Sequence, residues 1–125
     1  MTNLGYSGVK NKPFVVLEDT YYTLSNGDKM CVPKGYLTDI ASIPKPLRMI
    51  FNHISQSDAF IIHDYLYNYR GYKLDPDAFS VIPVSRIFAD REMKYQMIKG
   101  GANPHRATLY FIAVRLFGWL KFGKI

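Results

Sequence analysis

Tyr21-Tyr22-Thr23-Leu24-Ser25-Asn26-Gly27-Asp28-Lys29-Met30-Cys31-Val32 decides the fold class. Two short runs of aromatic, β-branched and apolar residues flank Asn-Gly, and both turn residues tolerate the positive φ of a tight hairpin. The stretch is therefore expected to form an antiparallel hairpin with Asn26-Gly27 at its turn. Pro33 closes the second strand, because proline has no N–H to give to a ladder. Upstream, Phe14 to Leu17 reads as a further extended run. Downstream, Gly35-Tyr36-Leu37-Thr38-Asp39 reads as another short extended piece, ending at Ile43-Pro44-Lys45-Pro46.

The remainder reads as helices. Leu47 to Ile54 can form a short one, and Ser57 is the better cap for the next, which carries Asp58-Ala59-Phe60-Ile61-Ile62-His63-Asp64-Tyr65-Leu66-Tyr67-Asn68-Tyr69-Arg70 as far as Gly71. Asp75-Pro76-Asp77 is a turn, and Pro83 argues against a continuous helix through Val81 to Val84. Ser85 caps a helix from Arg86 to about Lys99, Gly100-Gly101 stops it, and a last helix follows Asn103-Pro104, from about His105 to Phe117. The expected architecture is α+β, with an N-terminal antiparallel β-hairpin or small sheet packed on three main helices. It occupies residues 1–125 as a single domain, with Phe60, Leu66, Ile87, Ile112 and Leu116 in the core.

Composition fits that reading. The chain has 125 residues, 48% of them hydrophobic and 15% aromatic, which suits one modest core and argues against disorder. No 18-residue run is free of charge and the opening MTNLGYSGVK lacks the apolar stretch of a secretory signal, so neither a membrane span nor an exported precursor is expected. Cys31 is the single cysteine, which excludes an internal disulfide and fits a reducing compartment. The net charge of +6 is carried by the C-terminal part: from Met93 onward Lys94, Lys99, Arg106, Arg115, Lys121 and Lys124 face no acid. Such a tail suits an ordinary solvated face, an acidic partner, phosphate or an anionic membrane surface.

Chemistry centres on His63-Asp64 in an otherwise apolar and aromatic helix. Successive residues lie about 100° apart around a helix axis, so the two polar groups point differently, yet both fall among apolar neighbours. Burying them without partners is costly. Asp90 is a second anomaly, since Ile87, Met93 and Met97 share its stripe. Arg86 and Lys94 stand four residues either side of it, but an exposed pair at that spacing is worth only about 0.3–0.5 kcal/mol. A histidine or a metal from the neighbouring helix explains Asp90 better. If the two helices are antiparallel, Asp90 orients His63 through one ring nitrogen and leaves the other to deprotonate water. Asp64 remains available to a hard cation, calcium or magnesium, with Asp39, Thr38 and Ser42 as further oxygen candidates. Three histidines and one cysteine make a soft-ligand zinc site a poorer fit.

Two resemblances follow. Val32-Pro33-Lys34-Gly35-Tyr36-Leu37-Thr38-Asp39-Ile40-Ala41-Ser42-Ile43-Pro44, then Ile61-Ile62-His63-Asp64-Tyr65-Leu66-Tyr67, then Ser85-Arg86 with Ala89-Asp90, then Ala113-Val114-Arg115-Leu116-Phe117-Gly118 resemble, in that order, the small phage and prophage family catalogued as domain of unknown function number 1353. The resemblance implies a phage or prophage origin and no particular reaction. Locally, Asp58 to Tyr67 followed by Ala89-Asp90-Arg91-Glu92 is similar to the helix pair of secreted and parvoviral phospholipases A2. That likeness implies His63 as general base, Asp64 as calcium ligand and Asp90 as the orienting carboxylate. The glycine-rich calcium loop of those enzymes has no counterpart in Asn52-His53-Ile54-Ser55-Gln56.

The resulting expectation is a cation-dependent hydrolase of an ester or phospholipid. The alternative is a non-enzymatic virion, head or tail assembly component, in which Tyr65, Tyr67, Tyr69 and Tyr72 pack or form an interface while Asp39 and Asp90 pair with Arg48, Arg70 or Arg86. Expected partners are phage structural proteins, a second copy, or an anionic membrane surface; nothing points specifically to nucleic acid. The expected location is the host cytoplasm during expression, or the virion. The last helix presents Leu109, Ile112, Ala113 and Leu116 as one apolar stripe expected to pack against the His63 helix. Trp119, Leu120 and Phe122 follow it as a docking end.

Overall fold

The structure, a computed structural model, describes residues 4–9, 12–38 and 57–117. Its order is β1 (Leu4–Val9), β2 (Lys12–Val16), β3 (Thr20–Thr23), β4 (Lys29–Val32), β5 (Leu37–Thr38), α1 (Ser57–Tyr69), β6 (Gly71–Tyr72), β7 (Ile82–Pro83), α2 (Arg86–Lys99) and α3 (Pro104–Phe117). Described strands pair antiparallel as β1-β2-β5, β3-β4 and β6-β7, so the fold is α+β with small antiparallel sheets against three helices. The helix expected over Leu47 to Ile54, the candidate ligands Asp39 and Ser42, Arg48 and the docking end from Trp119 lie outside the described residues.

The β3-β4 hairpin has a longer loop than Asn26-Gly27 alone implies. Leu24 N–H donates to the Asp28 carbonyl at 2.8 Å and Gly27 N–H to the Leu24 carbonyl at 3.0 Å, closing a loop from Leu24 to Asp28. Gly27 takes a φ of 90°, whereas Asn26 stays at negative φ. Asn26 contributes through its side chain instead, accepting from Asp28 N–H at 3.0 Å. The loop is anchored to α2 by buried Glu92, which accepts from the Ser25 hydroxyl at 2.6 Å and from Ser25 N–H.

β1 extends the sheet beyond the strands read from sequence. It pairs with β2 through an irregularity between Tyr6 and Val9, with Gly8 at a φ of 78°. The Val81 to Val84 stretch supplies β7, and its partner β6 approaches closely: a Cβ on Gly71 would stand 2.3 Å from the Ile82 carbonyl oxygen. Only glycine fits there. Cys31 N–H donates to the Lys73 carbonyl at 2.8 Å, joining the hairpin to β6.

α1 is the central element. One side joins Val16, Leu24, Met30, Val32 and Tyr72 through Ile61, Ile62, Tyr65 and Leu66, while Ala59 and Phe60 join Met93, Met97, Ala107 and Tyr110. A helix enclosed on both sides must be apolar nearly all round, as this one is. Ser57, expected as its cap, is its first residue. Ser85 caps α2, its side chain accepting from Phe88 N–H, and Gly100 follows as the C-cap.

Phe60 and Leu66 are core residues and Ile87 is half-buried, but Ile112 and Leu116 are exposed, at 48% and 61%, and so is Leu109. The stripe expected to meet the His63 helix therefore faces outward. Ala107 and Tyr110 are buried instead, with Val114 partly buried beside them. Every face of α3 offers apolar side chains, so periodicity does not fix its rotation. The small Ala107 permits close approach, and the Tyr110 ring stacks edge-on against Phe60, 5.4 Å between centroids.

Candidate functional site

α1 and α2 run antiparallel: Phe60 packs with Met93 and Met97, while His63, one turn further along α1, meets Asp90. His63 Nε2 lies 2.8 Å from Asp90 Oδ1. Tyr67, the next residue on the same face, donates its hydroxyl to that oxygen, and its ring centroid sits 4.1 Å from that of His63. Arg115 Nη1 on α3 donates to Asp90 Oδ2 at 2.9 Å. Arg86 stands farther off, at 3.9 Å, because its guanidinium mainly serves the last turn of α3, donating to the carbonyls of Val114 at 3.0 Å and Arg115 at 3.2 Å. Lys94, the other expected partner of Asp90, lies over the Phe111 ring, 5.6 Å from its centroid.

The Asp90 side chain is 0% exposed, and three helices converge on it. Burial pushes its carboxyl pKa up, but the hydrogen bonds from His63 and Tyr67, the His63 charge and the hydrogen bond from Arg115 outweigh burial and hold it below the ordinary value. Burial and the Asp90 acceptor raise the Tyr67 hydroxyl, which stays protonated as a donor. An ionised carboxylate only accepts, so Nε2 carries a proton toward Asp90 whether His63 is charged or neutral, and in the neutral form the lone pair is on Nδ1. Among the described residues Nδ1 has no hydrogen-bond partner, and the side chain is 13% exposed. The pair therefore has the form of an oriented base.

Asp64 points away from this pair, toward β5. Its Oδ2 accepts from the Tyr36 hydroxyl at 2.8 Å and from Thr38 Oγ1 at 2.9 Å, and Asn68 Nδ2 donates to the Tyr36 oxygen at 2.7 Å. Burial, reinforced by the Asp64 charge, keeps the Tyr36 hydroxyl protonated. Thr38 and Asp64, two of the expected hard-cation oxygens, thus meet. Among the described residues, the Thr38 hydroxyl and the two carboxylate oxygens of Asp64 fall short of the six to eight oxygens that calcium takes. Among the described residues no group of three or more His, Cys, Asp or Glu side chains can hold a metal.

Tyr67, Arg115 and Tyr36 belong to the two clusters without having been singled out as site residues. Tyr67 carried a usable signal, four residues after His63 on the same helical face. Arg115 was hidden among the C-terminal basic residues, and Tyr36 among the ten tyrosines of the chain.

No helix among the described residues is long and apolar enough to cross a membrane. No curated protein and no solved structure matches the chain, so the likeness to phospholipases A2 gains no support from these comparisons. Residues 14–114, which include both clusters apart from Arg115, match the family described as protein of unknown function (DUF1353), and the chain belongs to that family.

Proposed function

We propose that this phage-family protein is a hydrolase of an ester or phospholipid in which His63 activates water. The observation that carries the reading is the 2.8 Å contact between His63 Nε2 and buried Asp90, which leaves Nδ1 available on a partly exposed side chain. In the proposed step, water gives a proton to Nδ1 as its oxygen attacks the acyl carbon and the carbonyl π bond opens to an oxyanion, while Nε2–H stays with Asp90, which orients the ring. The carbonyl then re-forms, the ester C–O bond breaks, and the leaving alkoxide takes the proton back from Nδ1. Asp64 brings calcium or magnesium into the proposal as the oxygen ligand beside Thr38; the described residues do not complete a cation cage, and no step is routed through the ion. The test is hydrolysis of phospholipid vesicles with and without calcium, by wild type and by His63→Ala. Activity in wild type and its loss in the variant support the reading, and equal rates reject it.

A second reading, a non-enzymatic virion or assembly component, has its own observation. Asp90 receives His63, Tyr67 and Arg115 from two other helices, an arrangement that suffices to pin three helices together without any reaction. Wild type lacking hydrolytic activity while His63→Ala alters only stability favours that reading.

A further inference from the structure

We propose that the turn carrying Phe79 docks into the groove between α2 and α3 of a second copy of this chain. Phe79 is 104% exposed, which is extreme for an aromatic side chain, and Leu74 and Val81 beside it are exposed at 48% and 38%. The segment is nevertheless built: Asp75 Oδ1 accepts from Asp77 N–H at 2.9 Å, and Ala78 N–H donates to the Asp75 carbonyl at 3.1 Å. The hydrogen-bonded turn from Asp75 to Ala78 ends immediately before Phe79, so the ring follows directly on backbone that is already ordered, which lowers the cost of presenting it. The tip is acidic as well as apolar, with Asp75 and Asp77 both exposed.

The groove offers the complement. It has a volume of about 440 Å³ and is lined by Arg91, Lys94, Tyr95, Ile98 and Phe111. Its aromatic rings already lie near ammonium groups, Lys94 over Phe111 and Lys99 over Tyr95. An aromatic ring flanked by carboxylates fits between such walls, with the rings meeting Phe79 and the cations meeting Asp75 and Asp77. The same acids oppose docking on an anionic lipid surface, which is why a protein surface is the occupant. Tip and groove are different patches of one chain, so the contact is heterologous and each copy offers both halves. The inference is independent of the His63 chemistry, since neither patch contains His63 or Asp90.

The test measures mass in solution as a function of protein concentration. Wild type is expected to rise above 14.4 kDa as concentration increases. Phe79→Ser and Ile98→Asp, both at exposed positions and each checked for native circular dichroism, should each weaken self-association at least tenfold. Mixed together they should associate again, because the first keeps its groove and the second keeps its tip. A monomeric wild type up to millimolar protein, undiminished association of either variant, or a mixture that stays monomeric overturns the proposal. Loss of vesicle binding by Phe79→Ser with unchanged mass also overturns it, and assigns the tip to lipid.

Discussion

Arg115 reaches the buried carboxylate of Asp90 at 2.9 Å from α3, the helix whose buried face is not the one its periodicity suggested. The contact makes Asp90 a three-helix junction. Removing the carboxylate leaves Arg115 and His63 without their acceptor, and breaking a buried pair from one side costs about 3–5 kcal/mol. Asp90→Ala should therefore lower urea-unfolding stability by about that amount. Arg115→Gln removes one charged hydrogen bond from a partly exposed side chain and should cost less, about 1.5–3 kcal/mol or below.

The same junction predicts an acid limb. The folded Asp90 carboxyl titrates below the ordinary 3.8, so between the two values the unfolded chain binds more protons than the folded one. Its stabilisation is complete above the unfolded value and disappears as pH falls through the folded value. Stability measured by urea titration at several pH values should decline on the acid side below about pH 5. Asp90→Asn should flatten that decline. An unchanged acid slope in the variant would assign the effect to other carboxylates.

His63 and Tyr67 share one acceptor oxygen, yet their substitutions should separate. Tyr67→Phe removes a buried donor to a charge and should cost about 1.5–3 kcal/mol, leaving the His63 contact in place. His63→Gln can keep a donor near Asp90 while removing the Nδ1 base. If His63 acts as proposed, hydrolysis falls steeply in His63→Gln with little change in the unfolding midpoint, whereas Tyr67→Phe shifts the midpoint and retains activity. Parallel loss of stability and activity in both would mean that the junction only holds the fold.

Legibility in the sequence followed the strength of local constraints. Asn26-Gly27 marked the hairpin because Gly27 does occupy positive φ, and His63 with Asp90 stood out because polar groups on apolar stripes need partners. β1 gave no comparable signal: Gly5, Ser7 and Gly8 interrupt any alternation, and pairing with β2 creates the strand. Arg115 was illegible because a guanidinium in a basic segment looks like solvated surface until α3 is rotated. The same rotation decided the fate of Ile112 and Leu116. Asp64 was recognisable as a polar group in need of partners, but its hydroxyl partners, Tyr36 and Thr38, come from β5 and the residue before it, a tertiary choice that no helical spacing encodes.

Gly71 links the end of α1 to the β6-β7 pair. Arg70 leaves the helix at a φ of 53°, and the glycine then passes under the Ile82 carbonyl where a Cβ would be 2.3 Å away. That neighbour is backbone and cannot turn aside as a side chain can. Gly71→Ala should force β6 and β7 apart, costing on the order of 1–3 kcal/mol as an overpacking change. Amide exchange at Val84, whose N–H donates to the Arg70 carbonyl at 3.0 Å, should accelerate.

The orientation of α3 can be tested with two substitutions on opposite faces. Ile112 is 48% exposed, so Ile112→Ser removes little buried area and should change stability by no more than about 0.5 kcal/mol. Ala107 is 0% exposed among Ala59, Phe60, Met93 and Met97, where a larger side chain has no space. Ala107→Leu should push α3 away from α1 and α2 and cost about 1–3 kcal/mol. The displacement also reaches the junction, because Arg115 sits about two turns along the same helix and must hold its 2.9 Å contact with Asp90. Ala107→Leu combined with Arg115→Gln should therefore cost less than the sum of the two alone, a coupling that a double-mutant cycle in urea reads directly. The reverse ranking, with Ile112→Ser severe and Ala107→Leu neutral, would restore the stripe of Leu109, Ile112, Ala113 and Leu116 as the buried face and displace Arg115 from Asp90.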